Sequence, residues 1–297
     1  KPLYHFQPGS RSYSIATVGC NFRCLFCQNA DISQMPRELK RVLGEDVPPE
    51  QVVLAATGSG CRSISYTYTE PTIFLEYALE TAKLARARKL KNIFVTNGYM
   101  TAEALDLLCP WLDAANVDLK AFTDGFYREQ CGATLQPVLD SLKTMKERGV
   151  WVEVTTLLIP TLNDREEELE EMVLFIAKEL GPETPWHVSR FHPTYRLLDK
   201  PPTPAATLRR ARAIGRERGL RYVYVGNLPE EHLEDTLCPA CGRTVIGRRG
   251  FYVTERQIRE GRCAHCGASL DGNWTLESMF RGPMIGCQVG HGPIMYR

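Results

Sequence analysis

The sequence has no apolar run approaching the ~18 residues that a membrane-spanning helix needs, so a transmembrane reading is excluded at the outset. It has almost no net charge: 36 Lys and Arg stand against 35 Asp and Glu, which leaves +1. That balance removes any general pull toward nucleic acid or an anionic membrane. It has no internal repeat and no biased tract, which excludes collagen-like and disordered chains. No secretory signal is expected at its start, because Lys1-Pro2-Leu3-Tyr4 carries no apolar stretch. Nor does it open on Met, so an upstream segment is expected.

What is present is an ordinary globular composition, 43% apolar and 24% charged over 297 residues. At about 150 residues per domain this length predicts two domains. Cysteine is the exception. There are eleven, an odd number, and seven of them sit in tight clusters. A secreted disulfide scaffold is usually shorter and spreads its cysteines more evenly. Clustered thiols in such a chain point to metal and to a reducing, cytoplasmic setting.

Short apolar runs rich in Val, Ile, Tyr and Thr predict strands at 13–17, 63–68, 92–96, 116–119, 151–158, 187–191 and 222–225. Amphipathic stretches lie between them. Ile73, Phe74, Tyr77, Ala78 and Ala82 keep to one helix face. Met172, Leu174, Phe175 and Leu180 do the same after Asn163-Asp164, which is expected to cap that helix. Strands alternating with helices imply parallel βαβ units. The expected fold is therefore α/β, a full or partial (β/α) barrel, with an open doubly wound sheet as the alternative. Either architecture places its ligands at the C-terminal ends of the strands. The pattern changes near Pro229. The domains are expected at 1–229 for the barrel and 230–274 for a small cysteine domain, with 275–297 as a tail without assigned structure.

Cys20-Asn21-Phe22-Arg23-Cys24-Leu25-Phe26-Cys27 follows the first predicted strand. Three thiolates on one loop suit three corners of a [4Fe–4S] cubane, whose all-cysteine form takes four. The open iron position is what direct binding of a substrate or cofactor requires. A structural zinc site would need a fourth ligand, and none is nearby.

This C-x3-C-x-aromatic-C at a strand end resembles the radical S-adenosylmethionine (SAM) superfamily. Lys1-Pro2-Leu3-Tyr4-His5-Phe6, Tyr13-Ser14-Ile15-Ala16-Thr17-Val18-Gly19-Cys20 and Ser65-Tyr66-Thr67-Tyr68-Thr69-Glu70-Pro71-Thr72 resemble one branch of it more narrowly. That branch is the AmmeMemoRadiSam-system radical SAM protein, related to pyruvate formate-lyase activating enzyme. The resemblance runs from Lys1 to about Trp274, and members of the branch carry a further N-terminal segment. It implies that SAM chelates the unique iron and is cleaved reductively to methionine and a 5′-deoxyadenosyl radical, which abstracts hydrogen from substrate. It also implies Cys20, Cys24 and Cys27 as catalytic cluster ligands and Phe26 beside SAM.

Tyr68-Thr69-Glu70-Pro71 stands in the place of the superfamily's Gly-Gly-Glu-Pro, which would set Glu70 on the SAM ammonium. Tyr68 and Thr69 replace the two glycines. Thr96-Asn97-Gly98, Asp118-Leu119-Lys120 and Phe191-His192-Pro193 end later strands and resemble segments of the activating enzymes. They add Asn97, Asp118, Lys120 and His192 as expected cofactor-binding residues. Read on their own, Glu70 suits a helix start, Asn97 a turn, Asp118 and Lys120 an ion pair, and His192 a hydrogen-bonded structural role. Glu153 and Thr155 alternate toward the barrel interior, and Cys61, Cys109, Cys131 and Cys287 read as buried free thiols.

Cys238-Pro239-Ala240-Cys241-Gly242 and Cys263-Ala264-His265-Cys266-Gly267 are paired knuckles around 21 residues that read as a hairpin, with Val245-Ile246 and Tyr252-Val253 as its apolar parts. Four thiolates from two such knuckles make a closed tetrahedral site, so structural Zn²⁺ is expected, with a rubredoxin-like iron or an auxiliary cluster as alternatives. Residues 238–272 carry six Arg and a net charge of +3, which leaves RNA or an acidic protein as a conceivable contact.

The expected activity is that of a pyruvate formate-lyase activating enzyme-like oxidoreductase, served by an electron donor such as flavodoxin or ferredoxin. Its substrate is a protein, in which a glycyl radical forms, or a small molecule. The alternatives are a tRNA-modifying radical SAM enzyme, or an RNA- or protein-binding module with a structural or redox-sensing cluster.

Overall fold

The computed structural model describes residues 3–228, 230–250, 252–274 and 295–296. Seven strands carry the larger part: β1 Ser12–Thr17, β2 Ser63–Tyr66, β3 Lys91–Thr96, β4 Ala114–Asp118, β5 Trp151–Leu158, β6 Trp186–Arg190 and β7 Val223–Gly226. Each pairs in parallel with the next, in the order of the sequence. Parallel strands need long crossovers, and helices such as Leu75–Ala87, Gln136–Glu147 and Ala205–Glu217 supply them. Among the described residues no bridge joins β7 back to β1, so the fold is a partial (β/α) barrel. The helix Ala205–Glu217 lies so close to the sheet that a Cβ at Gly215 would meet the Val223 side chain at 2.8 Å.

A smaller all-β part follows. Its strands are β8 Thr236–Leu237, β9 Thr244–Arg249 and β10 Tyr252–Arg256 in one antiparallel sheet, with β11 Ile258–Arg259 and β12 Arg262–Cys263 in a two-stranded ribbon. A last strand, β13 Met295–Tyr296, pairs in parallel with the outer edge of β1. The rest of the tail expected at 275–297, Cys287 included, lies outside the described residues, as does Pro229.

Three local expectations are corrected. The second strand stops at Tyr66, because Tyr68 turns the chain through a left-handed φ of 65°. The helix expected to start at Asn163-Asp164 begins at Glu166. Asn163 is instead buried and spent on loop backbone, donating to the carbonyls of Lys120 (2.6 Å) and Leu157 (2.9 Å) and accepting from the Ile159 amide. In the hairpin Val245 and Ile246 are buried as expected, but Tyr252 is 66% exposed.

The base of the barrel, at the N-terminal ends of the strands, is sealed. Glu153 on β5 is fully buried and accepts from the backbone amides of Tyr4 (2.9 Å) and His5 (2.8 Å), from Trp151 Nε1 (3.1 Å) and from His187 Nε2 (2.6 Å). His5 meets the Asp271 carbonyl (2.7 Å) and the Tyr224 hydroxyl (2.5 Å). Arg248 of the small domain stacks its guanidinium 4.1 Å from the Tyr4 ring centroid. Barrel, opening segment and small domain thus meet in one buried polar knot. Every donor in that list has an acceptor, which such burial requires.

Candidate functional site

The opposite end of the barrel is open. A cavity of about 390 Å³ lies at the C-terminal ends of the strands, a size suited to a small-molecule cofactor. Its lining includes Cys20, Cys24, Cys27, Phe26, Glu70, Asn97, Asp118 and Lys120, which the sequence singled out from four separate stretches. Thr155 joins them from β5. His192 does not. It is exposed, on the loop after β6, and outside the lining. The alternating strand places Ser189 toward the cavity, and the chain has left the barrel three residues later.

The cysteine loop leaves β1 at Gly19, whose amide bonds the Ile32 carbonyl at 3.0 Å. Two further backbone bonds fix its middle, from Arg23 N to the Cys131 carbonyl and from Leu25 N to that of Gln130, both 2.9 Å. Arg37 adds donors to the carbonyls of Phe22 (2.9 Å) and Cys20 (3.2 Å). The Cys20 sulfur accepts from Phe22 N (3.3 Å) and Asn97 Nδ2 (3.8 Å). Burial, and then the charge of Glu70, push the Cys20 thiol up to about 12. A thiolate here therefore needs a cation beside it, which a coordinated iron supplies. The donor set suits an iron–sulfur cluster in a second respect, since the three thiols of one loop, Cys20, Cys24 and Cys27, line the same cavity.

Glu70 caps the turn Pro71–Phe74 and ties it to the end of β3. Its Oε1 accepts from Thr72 N (3.1 Å), Thr72 Oγ1 (2.6 Å) and Thr96 Oγ1 (2.7 Å), while Oε2 takes one bond, from Asn97 N at 2.7 Å. A carboxylate offers about four lone-pair sites, two on each oxygen, so the remaining capacity is on Oε2. Burial raises the Glu70 pKa, against the pull of these donors. Asn97 donates to Asn21 Oδ1 at 2.7 Å, which links the cysteine loop to β3. Gly98 beside it has φ 71°, and a Cβ there would lie 2.8 Å from the Val117 side chain.

Lys120 Nζ pairs with Asp118 Oδ2 at 3.0 Å, both side chains being mostly buried, and lies 5.8 Å from the Phe26 ring centroid. Burial works against its charge, but Cys24, Cys131 and Tyr127 outweigh it and raise its pKa. Sequence reasoning gave no role to Asn21, Asn29 and Tyr127, nor to Thr96 within its quoted motif. Asn21 and Asn29 flank the cysteines, and that position was the available signal. Nothing local marks Tyr127, whose hydroxyl accepts from the Lys120 amide at 3.0 Å.

In the small domain the four sulfurs of Cys238, Cys241, Cys263 and Cys266 lie within 4.8 Å of one another, close enough to hold one metal ion. Cys61, Cys109 and Cys131 are buried free thiols. Of the six arginines here, Arg243, Arg248, Arg256 and Arg262 donate to the protein's own carbonyls. Among the described residues no helix is long and apolar enough to cross a membrane.

Comparison with known proteins places this geometry. The radical SAM superfamily model matches residues 14–176. The uncharacterized protein MJ0808 of Methanocaldococcus jannaschii is 45% identical over 273 residues, covering 91% of this chain and 80% of that protein. The pyruvate formate-lyase-activating enzyme of Clostridium pasteurianum is 23% identical over 178 residues, 57% of this chain and 70% of that enzyme. A radical SAM methyltransferase from Sphaerobacter thermophilus superposes with a TM-score of 0.58 at 16% identity, over 80% of this chain and 71% of that one, a likeness of fold alone. Matched over more than half its length by the superfamily model, and 45% identical to a relative along 91% of it, the chain belongs to the radical SAM superfamily.

Proposed function

We propose that this chain is a radical SAM enzyme of the AmmeMemoRadiSam-system branch, acting as a pyruvate formate-lyase activating enzyme-like oxidoreductase in the cytoplasm. Cys20, Cys24 and Cys27 would hold a [4Fe–4S] cluster, with Phe26, Glu70, Asn97, Asp118 and Lys120 around SAM. Bound together, cluster and SAM supply one-electron cleavage of the sulfonium and a 5′-deoxyadenosyl radical that takes hydrogen from substrate. The protein's own share is positioning and exclusion of competing reactions. Glu70 Oε2 accepts from the SAM ammonium, Asn97 orients Cys20, and the Asp118–Lys120 pair keeps a polar wall opposite the loop. The observation that carries this reading is the convergence of the three loop thiols with Glu70, Asn97, Asp118 and Lys120 on one cavity.

The substrate reading is a protein, with a glycyl radical as product. In its support, Leu39, Val42, Leu43 and Leu198 stay exposed on segments joined by the contact of Arg196 with Glu38 and adjoining the cysteine loop through Arg37. A flavodoxin- or ferredoxin-type donor would deliver the electron. The quartet of the small domain would hold structural Zn²⁺. With four of its six arginines donating to the protein's own carbonyls and Arg249 paired with Glu231, that domain has less charge to offer a nucleic acid, which favours the enzyme over an RNA-binding module.

The test is anaerobic reconstitution with iron and sulfide, reduction, addition of SAM and detection of 5′-deoxyadenosine by mass spectrometry. Product is expected from the native chain and none from Cys24→Ala. A Cys24→Ala variant that still formed it would overturn the assignment.

A further inference from the structure

Tyr68 sits at the cavity in a backbone conformation that its side chain makes costly. Its φ is 65°, a region that glycine enters freely and a bulky residue does not. Burial does not compensate, since Tyr68 is 42% exposed. Its backbone is held: the carbonyl accepts from Asn29 Nδ2 at 2.7 Å, and Thr69 Oγ1 next to it bonds the Thr17 carbonyl at 2.7 Å. The ring is not. Among the described residues no ring or cation packs against it.

Three aromatic side chains line the cavity, and the other two are committed to the fold. Phe22 is buried against Tyr99 and Tyr127, at centroid distances of 5.3 and 6.2 Å. Phe26 has Phe126 at 5.7 Å and Lys120 Nζ at 5.8 Å from its centroid. The free aromatic face at the cavity is therefore that of Tyr68. Its backbone is tied to Asn29 at the end of the cysteine loop and stands two residues before Glu70, whose Oε2 keeps acceptor capacity and which lines the same cavity. A strained, exposed and unpacked aromatic residue in such a place points to a contact with something outside the chain.

We propose that the Tyr68 ring closes over the sulfonium of bound SAM and holds it by cation–π attraction, so that the site separates the charged sulfonium from a neutral thioether. Aromatic faces attract ligand cations within about 6 Å of the ring centroid. This inference rests on the SAM reading of the same cavity. It adds a specificity-determining residue whose effect depends on ligand charge.

The test is calorimetric titration of the reconstituted holoprotein with SAM and with S-adenosylhomocysteine, the uncharged thioether. Native chain, Tyr68→Phe and Tyr68→Leu are compared. The native chain should prefer SAM. Tyr68→Leu should narrow the ratio of the two affinities by roughly threefold to thirtyfold, through weaker SAM binding. Tyr68→Phe should keep the ratio, because the ring remains. Tyr68→Gly should lose the preference while its thermal midpoint stays level or rises, because the strain is relieved. An unchanged ratio in Tyr68→Leu, or equal weakening of both ligands, overturns the inference and leaves the SAM reading standing. A native chain with an intact cluster that binds neither ligand overturns both.

Discussion

The two ends of the barrel treat buried polar groups in opposite ways. At the base, Glu153 accepts four hydrogen bonds, and the groups that supply them are packed on every side. At the mouth, Glu70 also accepts four, but three fall on one oxygen, the other keeps room, and the residue lines a cavity of about 390 Å³. Both carboxylates stand at barrel strands and both are buried. The chain saturates one and leaves the other with capacity. Saturation fixes the base as scaffold, while spare acceptor and donor capacity is what a ligand site needs.

The sharpest way to break this contrast is to remove the metal expected in the small domain, by a strong chelator or by Cys263→Ser. Structural four-cysteine sites carry the folding energy of their domain. The sheets β8 to β12 should unfold, and the base should open with them, because Asp271 and Arg248 would leave His5 and Tyr4. Hydrogen exchange should show the amides of Tyr4 and His5 losing protection while those of Arg23 and Leu25 in the cysteine loop keep theirs. Next in size is Glu153→Leu, which strands His187, Trp151 and two backbone amides. Urea unfolding should register a loss of about 3–5 kcal/mol, with iron content per folded molecule unchanged.

The base also carries a pH dependence. Burial holds His5 down to about 4, against the attraction of Glu153. The unfolded chain therefore binds this proton below about 6.5, while the folded chain refuses it until about 4. Stability from this group is complete above 6.5 and falls as pH drops through that window, with a limiting slope of about 1.4 kcal/mol per pH unit. Glu153 behaves differently. Burial raises it, but the hydrogen bond and charge of His187 prevail and hold it at about 2. Its contribution is lost only between about 4.5 and 2. Chevron or urea midpoints at pH 7, 5 and 3.5 should show the His5 decline first.

The smallest effect belongs to the mouth. Gly98→Ala forces a side chain into left-handed backbone against Val117, at a cost of about 1–3 kcal/mol. It should displace Asn97 and weaken SAM binding while the base keeps its exchange protection.

Much of this was legible in the sequence, for identifiable reasons. The seven barrel strands are short apolar runs between Gly, Pro, Asn and Asp. The observed β5, Trp151–Leu158, has the predicted bounds, and the others shift by one or two residues. The two cysteine groups were legible because ligands close in sequence announce themselves by spacing. Asn163 misled because a polar residue before an apolar stretch is ambiguous between a helix cap and a buried clasp on neighbouring carbonyls. His192 misled because a strand end predicts the neighbourhood of the cavity but not where the next loop turns. Glu153 was assigned to the barrel interior, yet its four donors come from residues 4, 5, 151 and 187, a gathering that only the folded chain reveals.

The clasp of Tyr4 and His5 bears on the order in which the molecule assembles. Their partners lie far along the chain, 149 positions away at Glu153, 219 at Tyr224 and 266 at Asp271. Contacts of such sequence separation pay a large loop-closure entropy before they return any energy, so they form late. The neighbour-to-neighbour strands β1 to β7 assemble without them. The cysteine loop is itself tied to residues over 100 positions away, at Gln130, Cys131 and Arg196, but its partners all lie within the barrel, whereas the base also needs Asp271 of the small domain.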